Sequence, residues 1–461
     1  MFAKYLLLPV LFLTRPALAV PTIQHWITEN GTRVYFVPAH ELPMVDVQVV
    51  FDGGSARDEA LPGLARFTNS LLQEGAGELD ADAVAERLAT LGAELNTDSA
   101  RDMASVSLRT LAEPAIRDQA VELLALLLAR PTFAPQALER VRGQLLVRAK
   151  QEHQSPADLA IRIFYKGIFH EHPYATPPGG AQASLLAITA ADVQQFYRHY
   201  YVARNAVLVM VGDLERREAE ALADKVIGQL PAGEAAPRVP PAPAVSKAAA
   251  RTIAFPSVQT HILVGQPAIS RLDDDYYALN VGNHVLGGSG LISLLAEEIR
   301  ERRGLAYSVE SYFKPMRAEG PYILSLQTRN EKAGEALELL HSLLHQFVTV
   351  GPTEAQLQAA KKNITGGFPL RIDSNRKILD YVSMIGFYGL PLDYLERFNA
   401  RIAAVTVEDV RSAFARHIHP QRLVTVMVGT DEKTASGVPT TSSPAPPLSA
   451  TEPSQNDASL P

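Results

Sequence analysis

Residues 188–214, ITAADVQQFYRHYYVARNAVLVMVGDL, have a second version at residues 405–431, VTVEDVRSAFARHIHPQRLVTVMVGTD. At a constant offset of 217 residues, Thr189 meets Thr406, Asp192 and Val193 meet Asp409 and Val410, and Met210, Val211 and Gly212 meet Met427, Val428 and Gly429. Each version reads as a capped amphipathic helix, a turn and a buried strand. Each also closes its half of the chain, which divides the protein into two homologous domains of about 210 residues.

The pattern inside each half is mixed. Val45, Val47, Val49 and Phe51 alternate with positions expected to be more exposed, as in a half-buried strand, and residues 105–111 alternate again. Leu79 and Asp80 open a helix that places Val84, Leu88, Leu91 and Leu95 on one face, and residues 115–129 form a strongly apolar helix stopped by Pro131. There is no βαβ rhythm and no phosphate-binding glycine loop. The expected class is α+β, with helices packed on one side of a mostly antiparallel sheet in each domain. Residues 231–250, PAGEAAPRVPPAPAVSKAAA, read as a disordered, extended linker, and residues 433–461, rich in Pro, Ser and Thr, as a disordered tail. The domains then span residues 20–230 and 251–432.

Composition narrows the function classes. The 461 residues carry a net charge of −7 and no basic stripe, which argues against nucleic-acid binding. Cysteine is absent, so disulfides and thiolate metal sites are excluded. Residues 1–19, MFAKYLLLPVLFLTRPALA, read as a secretory signal: Lys4, an apolar run, then the small-residue site Ala17-Leu18-Ala19. The run from Tyr5 to Leu13 is too short to span a bilayer as an uncleaved anchor. The mature chain is expected to be exported, to a periplasm in a bacterium, without a membrane span.

Several phrases together resemble the M16 (pitrilysin, or insulinase) family of zinc peptidases: GGSARDEALPGLARF, LLQEGAG, LATLGAELNTDSARD, HPYATPPGG, the paired VMVG strands and LGGSGLISLLAEEIRERRGLAYSVESYF. In active members the helix after Gly-Leu-Ala carries H-x-x-E-H, in which two His on one helical face bind zinc and the Glu is the general base. Here the five positions are Arg66, Phe67, Thr68, Asn69 and Ser70. Arg66 cannot ligate zinc, Asn69 cannot take a proton from water, and Ser70 is a poor ligand. Arg148 falls within a couple of positions of the family's later Glu ligand. A guanidinium about 4 Å from a divalent cation is repelled by roughly 8 kcal/mol at an effective dielectric of about 20. If Arg66 instead swings out to solvent, an empty pocket remains; in either case no metal is expected.

Other histidines read as structural. His170, Glu171 and His172 do not share a helix face. His341 and His345 sit i, i+4 on an apolar helix with no Glu base between them, and His417 and His419 follow a helix end.

The resemblance implies a role for the second half. Arg300 and Tyr307 match a pair that reaches the other half's zinc site, binds substrate backbone and helps stabilise the oxyanion. Gly287, Gly288 and Gly290 match a glycine-rich substrate loop of non-catalytic subunits, and equally read as a tight turn into a helix. The expectation is a zinc-free subunit that pairs with a zinc-bearing M16 partner around an unfolded peptide. The alternative is a non-enzymatic peptide-binding or scaffold protein. Elemental analysis of the purified chain should return far less than one zinc per molecule; a stoichiometric metal would overturn the reading of Arg66 and Arg148.

Overall fold

The computed structural model describes residues 20–429. The signal segment (1–19) and the tail (433–461) read from the sequence lie outside the described residues.

The first half contains strands β1 (Gln24–Ile27), β2 (Arg33–Pro38), β3 (Met44–Phe51), β4 (Gly75–Ala76), β5 (Leu79–Asp80), β6 (Glu94–Ser99), β7 (Ala104–Leu111) and β8 (Ala206–Gly212). The second contains β9 (Ala249–Ile253), β10 (Gln259–Ile269), β11 (Ala306–Phe313), β12 (Gly320–Arg329) and β13 (Val424–Val428). One sheet has the order β1-β2-β8-β3-β7-β6 and the other β11-β12-β10-β13-β9, with β4 and β5 a separate short pair. The two orders superpose: β2-β8-β3-β7-β6 runs as β9-β13-β10-β12-β11. In each sheet the β2–β8 type of pair is parallel and the remaining pairs are antiparallel.

The repeat read from the sequence is present in its local chemistry. Helix Ala190–Tyr200 is capped by Thr189 and helix Val407–His417 by Thr406, each in a reciprocal capping box with the Asp three residues on. Each helix leads through a short turn into a fully buried strand, β8 or β13.

Burial departs from the simple alternation expected for β3. Val45, Val47, Val49 and Phe51 are buried, but so are Asp46 and Val50 between them. The cause is a second covered face. Val45, Val47, Val49 and Phe51 join the first half's own helices, whereas Val50 joins Val207, Val209 and Val211 in a core that includes Ile385 of the second half. The helix Asn375–Tyr388 lies across β8, β3 and β2. Reciprocally, helix Pro156–Phe169 of the first half lies across β10 and β13, where Phe164, Ile168 and Phe169 pack with Leu263, Val424 and Val426. Each half thus lends one helix to the other half's sheet. A Cβ on Gly386 would lie 2.7 Å from Tyr35 and 2.8 Å from Val207; one on Gly167 would lie 3.1 Å from Val424, the repeat counterpart of Val207.

The apolar helix runs Pro114–Ala129, as expected. The preceding one runs Ala81–Leu91 with Asp80 as its cap, so Leu95, expected on its face, belongs instead to β6. The larger correction concerns residues 231–250. They are extended but fixed, because several polar groups along them find partners in both halves. Arg57 donates to the Pro237 carbonyl at 2.8 Å, and the Ala236 and Ala242 amides donate to Asn205 and Glu319. His172 accepts the Tyr174 amide at Nδ1, so its Nε2–H donates to the Pro240 carbonyl at 2.8 Å. The segment ends by entering β9 at Ala249, parallel to β13.

Adding a methyl group where two side chains already touch the helix axis forces repacking that typically costs about 1–3 kcal/mol. Replacing helical Gly by Ala gains about 1 kcal/mol of propensity. Gly386→Ala is therefore expected to be net destabilising and Gly167→Ala, with one contact, to be closer to neutral. Urea denaturation of the two variants checks the order; a midpoint for Gly386→Ala at or above the parent's would contradict it.

Candidate functional site

Helix Leu64–Leu71 is set by its N-terminus. Gly63 adopts φ 97°, and its Cα side faces Gly180 so closely that a Cβ would lie 2.8 Å from the Gly180 Cα. The buried Asp58 carboxyl accepts the Gly63 and Ala65 amides, each at 2.7 Å, in place of a capping side chain. Burial pushes that carboxyl up to about 8, against the opposing pull of the two amides.

From this helix Arg66 and Asn69 bond to the β6 and β7 backbone. Arg66 donates from Nη2 to the Ser99 carbonyl at 2.9 Å, while its Nε is buried without an acceptor. Burial, and then the field of Arg148, hold the Arg66 guanidinium below its usual range. Arg148 is mostly exposed and lies 3.3 Å from Glu152. Asn69 is only 1 % exposed and fully used. Its amide donates to the carbonyls of Asp98 (2.7 Å) and Ser105 (3.1 Å), and its oxygen accepts the Tyr201 hydroxyl at 3.0 Å. Ser70 is half-buried at the helix end. A zinc ion would face a guanidinium, a donor amide and a hydroxyl, and these residues do not fit it. Asn69 instead pins the helix to both strands, a role its position in the motif did not reveal.

The other histidines have structural partners or none. Lys166 holds Glu171 at 2.8 Å, and His170 ends its helix at φ 54°. Burial keeps the His341 ring below the usual imidazole range. Among the described residues, Asp273, Asp275 and His417 are a grouping close enough to share a metal. Asp275 is already engaged, since Arg416 donates to both its oxygens at 2.9 and 2.7 Å and His417 bonds it at 2.8 Å. Neither aspartate stood out in the sequence.

The second-half candidates converge. Arg300 sits in the π-helical segment Ala296–Glu301, and Tyr307 is the second residue of the edge strand β11. The guanidinium lies 5.7 Å from the centre of the Tyr307 ring, and Tyr307 is 73 % exposed. Arg300 also lines a cleft of about 380 Å³ with Gly287, Gly288 and Gly290, beneath the β11 residues Ser308–Tyr312. Side chains at Gly287 or Gly288 would strike Ser311 or Asn283, whereas Gly290 is open and needs its left-handed φ of +61°. Asn283 and Ser311 exchange two hydrogen bonds and fix the cleft floor, which the sequence pattern did not disclose. Among the described residues no hydrogen bond or ion pair joins this cluster to Arg66, Asn69, Ser70 and Arg148.

Asn69→Asp replaces a double donor with an anion facing two carbonyls. The cost at neutral pH should be about 2–4 kcal/mol, read from denaturation midpoints. The folded-state carboxyl must lie above its unfolded value, so the protonated form is favoured on folding. The loss should therefore shrink as pH falls toward 4 and grow as pH rises; a loss that grows on acidification would refute the donor role.

Comparison with known proteins agrees with this geometry. Residues 33–178 match the family described as insulinase (peptidase family M16), and residues 187–364 match the peptidase M16 inactive domain. A crystal structure of a peptidase M16 inactive domain from Pseudomonas fluorescens superposes with a TM-score of 0.86 at 38 % identity, covering 89 % of this chain and 98 % of that one. The non-peptidase homolog YmxG of Helicobacter pylori is 28 % identical over 411 residues, 88 % of this chain and 94 % of its own. An uncharacterized zinc protease of Streptomyces coelicolor is 26 % identical over 383 residues, 81 % of this chain and 82 % of its own. With its duplicated α+β halves and a motif helix that lacks every zinc-binding side chain, the chain belongs to the M16 peptidase family as a homologue of the inactive type.

Proposed function

We propose that this protein is a zinc-free subunit that pairs with a zinc-bearing M16 partner and completes the partner's peptide-hydrolysing site with Arg300 and Tyr307. The carrying observation is the asymmetry between the two clusters. On the motif helix Arg66 and Asn69 are bonded to the first half's own backbone and to Tyr201, whereas Arg300 lines a cleft at the edge of the second sheet and Tyr307 stands exposed on that edge strand. An edge strand offers unpaired backbone groups to an extended peptide, which favours substrates chosen by conformation over sequence. Arg300 supplies a fixed cation with several donors, and the exposed Tyr307 hydroxyl supplies one more. The zinc and its general base belong to the partner in this reading. Export, in this reading, rests on the signal-like pattern of residues 1–19; no helix among the described residues is long and apolar enough to cross a membrane.

The second reading, a peptide-binding scaffold with no share in hydrolysis, draws on the partners Arg300 already has: Glu301 at 3.4 Å and the Tyr307 ring. It also fits the non-peptidase description of the Helicobacter pylori relative.

Pull-down from a native extract, followed by peptide-cleavage assays of the recovered pair, separates the two. Loss of one oxyanion-type donor typically costs about 10²–10³ in kcat. Arg300→Ala and Tyr307→Phe should each lower the pair's kcat by a factor approaching that range while leaving the pair assembled. Unchanged turnover in both variants would leave the scaffold reading.

A further inference from the structure

The segment that carries the glycines has two sides. Gly288 and Leu291 line the Arg300 cleft, while Ser289 and Ile292 line a second, larger groove of about 700 Å³ on the opposite side, against helix Glu354–Gly367. That volume falls within the range of about 300–1,000 Å³ usual for small-molecule sites. One wall is apolar, formed by Val285, Ile292 and Leu294.

The polar groups of the groove are unequally engaged. Its carboxylate, Glu297, is already ion-paired with Arg302 at 2.6 Å. The cation Lys362 forms no hydrogen bond or ion pair among the described residues. The His284 ring, also on the lining, keeps a buried Nε2 without a partner. Burial first, and then the nearby Arg371, hold that ring below the usual imidazole range against the opposing pull of Asn363, which lines the same groove, so the neutral ring offers one N–H donor. A site with a free cation, a free ring nitrogen and an occupied carboxylate selects an acceptor-bearing anion over a cation. The apolar wall selects a ligand whose remainder is hydrocarbon.

We infer that this groove binds a small amphipathic carboxylate, with the carboxylate at Lys362 and His284 and the apolar group against Val285, Ile292 and Leu294. A free fatty acid and the C-terminal apolar residue of a peptide share this chemistry. An occupant would rest on the segment that also walls the Arg300 cleft, but its binding does not depend on any peptidase role.

Isothermal titration of the purified full chain with decanoate, decanamide, N-acetyl-leucine and N-acetyl-leucinamide tests the site. One or both acids should bind, with the matching amide at least about tenfold weaker, the usual worth of a charge-assisted hydrogen bond. Lys362→Gln, on an exposed helix position, should weaken the acid by a similar factor at unchanged melting temperature, and Ala359→Trp should block it by filling the groove. Binding of decanoate alone assigns a lipid acid, and of N-acetyl-leucine alone a peptide C-terminus; either supports the site. Equal binding of acid and amide, an unaffected Lys362→Gln, or no binding by either acid would overturn it. The readout is heat of binding, so its failure is distinct from failure of the subunit reading.

Discussion

The buried carboxylate of Asp102 is the knot between the two halves. One oxygen accepts the Tyr174 hydroxyl at 2.6 Å; the other accepts the Arg317 amide at 2.9 Å and the Tyr388 hydroxyl at 3.0 Å. Two of these donors come from the second half. Burial first, and Asp102's own charge after it, push both tyrosine hydroxyls far above their usual range, so they remain donors at any physiological pH. Around the knot, Arg317 reaches Asp52 at 3.0 Å, Asp52 holds Arg57, and Arg57 holds the Pro/Ala segment. A buried anion with three donors is tolerable; the same anion with one removed is costly, which makes the network all-or-none.

That knot and the exchanged helices act on the same interface. Arg33 donates to the Gly386 carbonyl and Ser383 to Gln48, so the second-half helix is bonded as well as packed on the first sheet. The inward-turned motif helix fits this frame. Where a hydrolytic centre needs ligands aimed into a cleft, Arg66 and Asn69 spend theirs on Ser99, Asp98 and Ser105, which converts a reactive surface into a brace between helix and sheet.

What the sequence made legible was local. The capping boxes at Thr189 and Thr406, the buried strands behind them and the absent zinc ligands depend on neighbours a few residues away. Arg300 and Tyr307 were singled out through the family resemblance, their spacing alone leaving a surface Arg and a packed Tyr equally open; the two do lie close, with the guanidinium 5.7 Å from the ring centre. What escaped was long-range. Asp102 and Tyr174 lie in phrases that marked the family, yet their bond spans residues 72 apart and involves Arg317 and Tyr388 besides. The Pro/Ala stretch had the composition of a free linker, but its carbonyls and amides meet Arg57, His172, Asn205 and Glu319, partners no local pattern announces. The buried Val50 looked like a solvent position because the helix that covers it comes from more than three hundred residues away.

The traded helices, Pro156–Phe169 and Asn375–Tyr388, carry Gly167 and Gly386 at matching places against Val424 and Val207. A half-length chain with this architecture would leave one sheet face bare unless a second copy covered it. Neither half therefore finishes its own core: the apolar face that each sheet turns toward the other half is closed only when the reciprocal helix docks, so the two halves are bound to fold as one cooperative body.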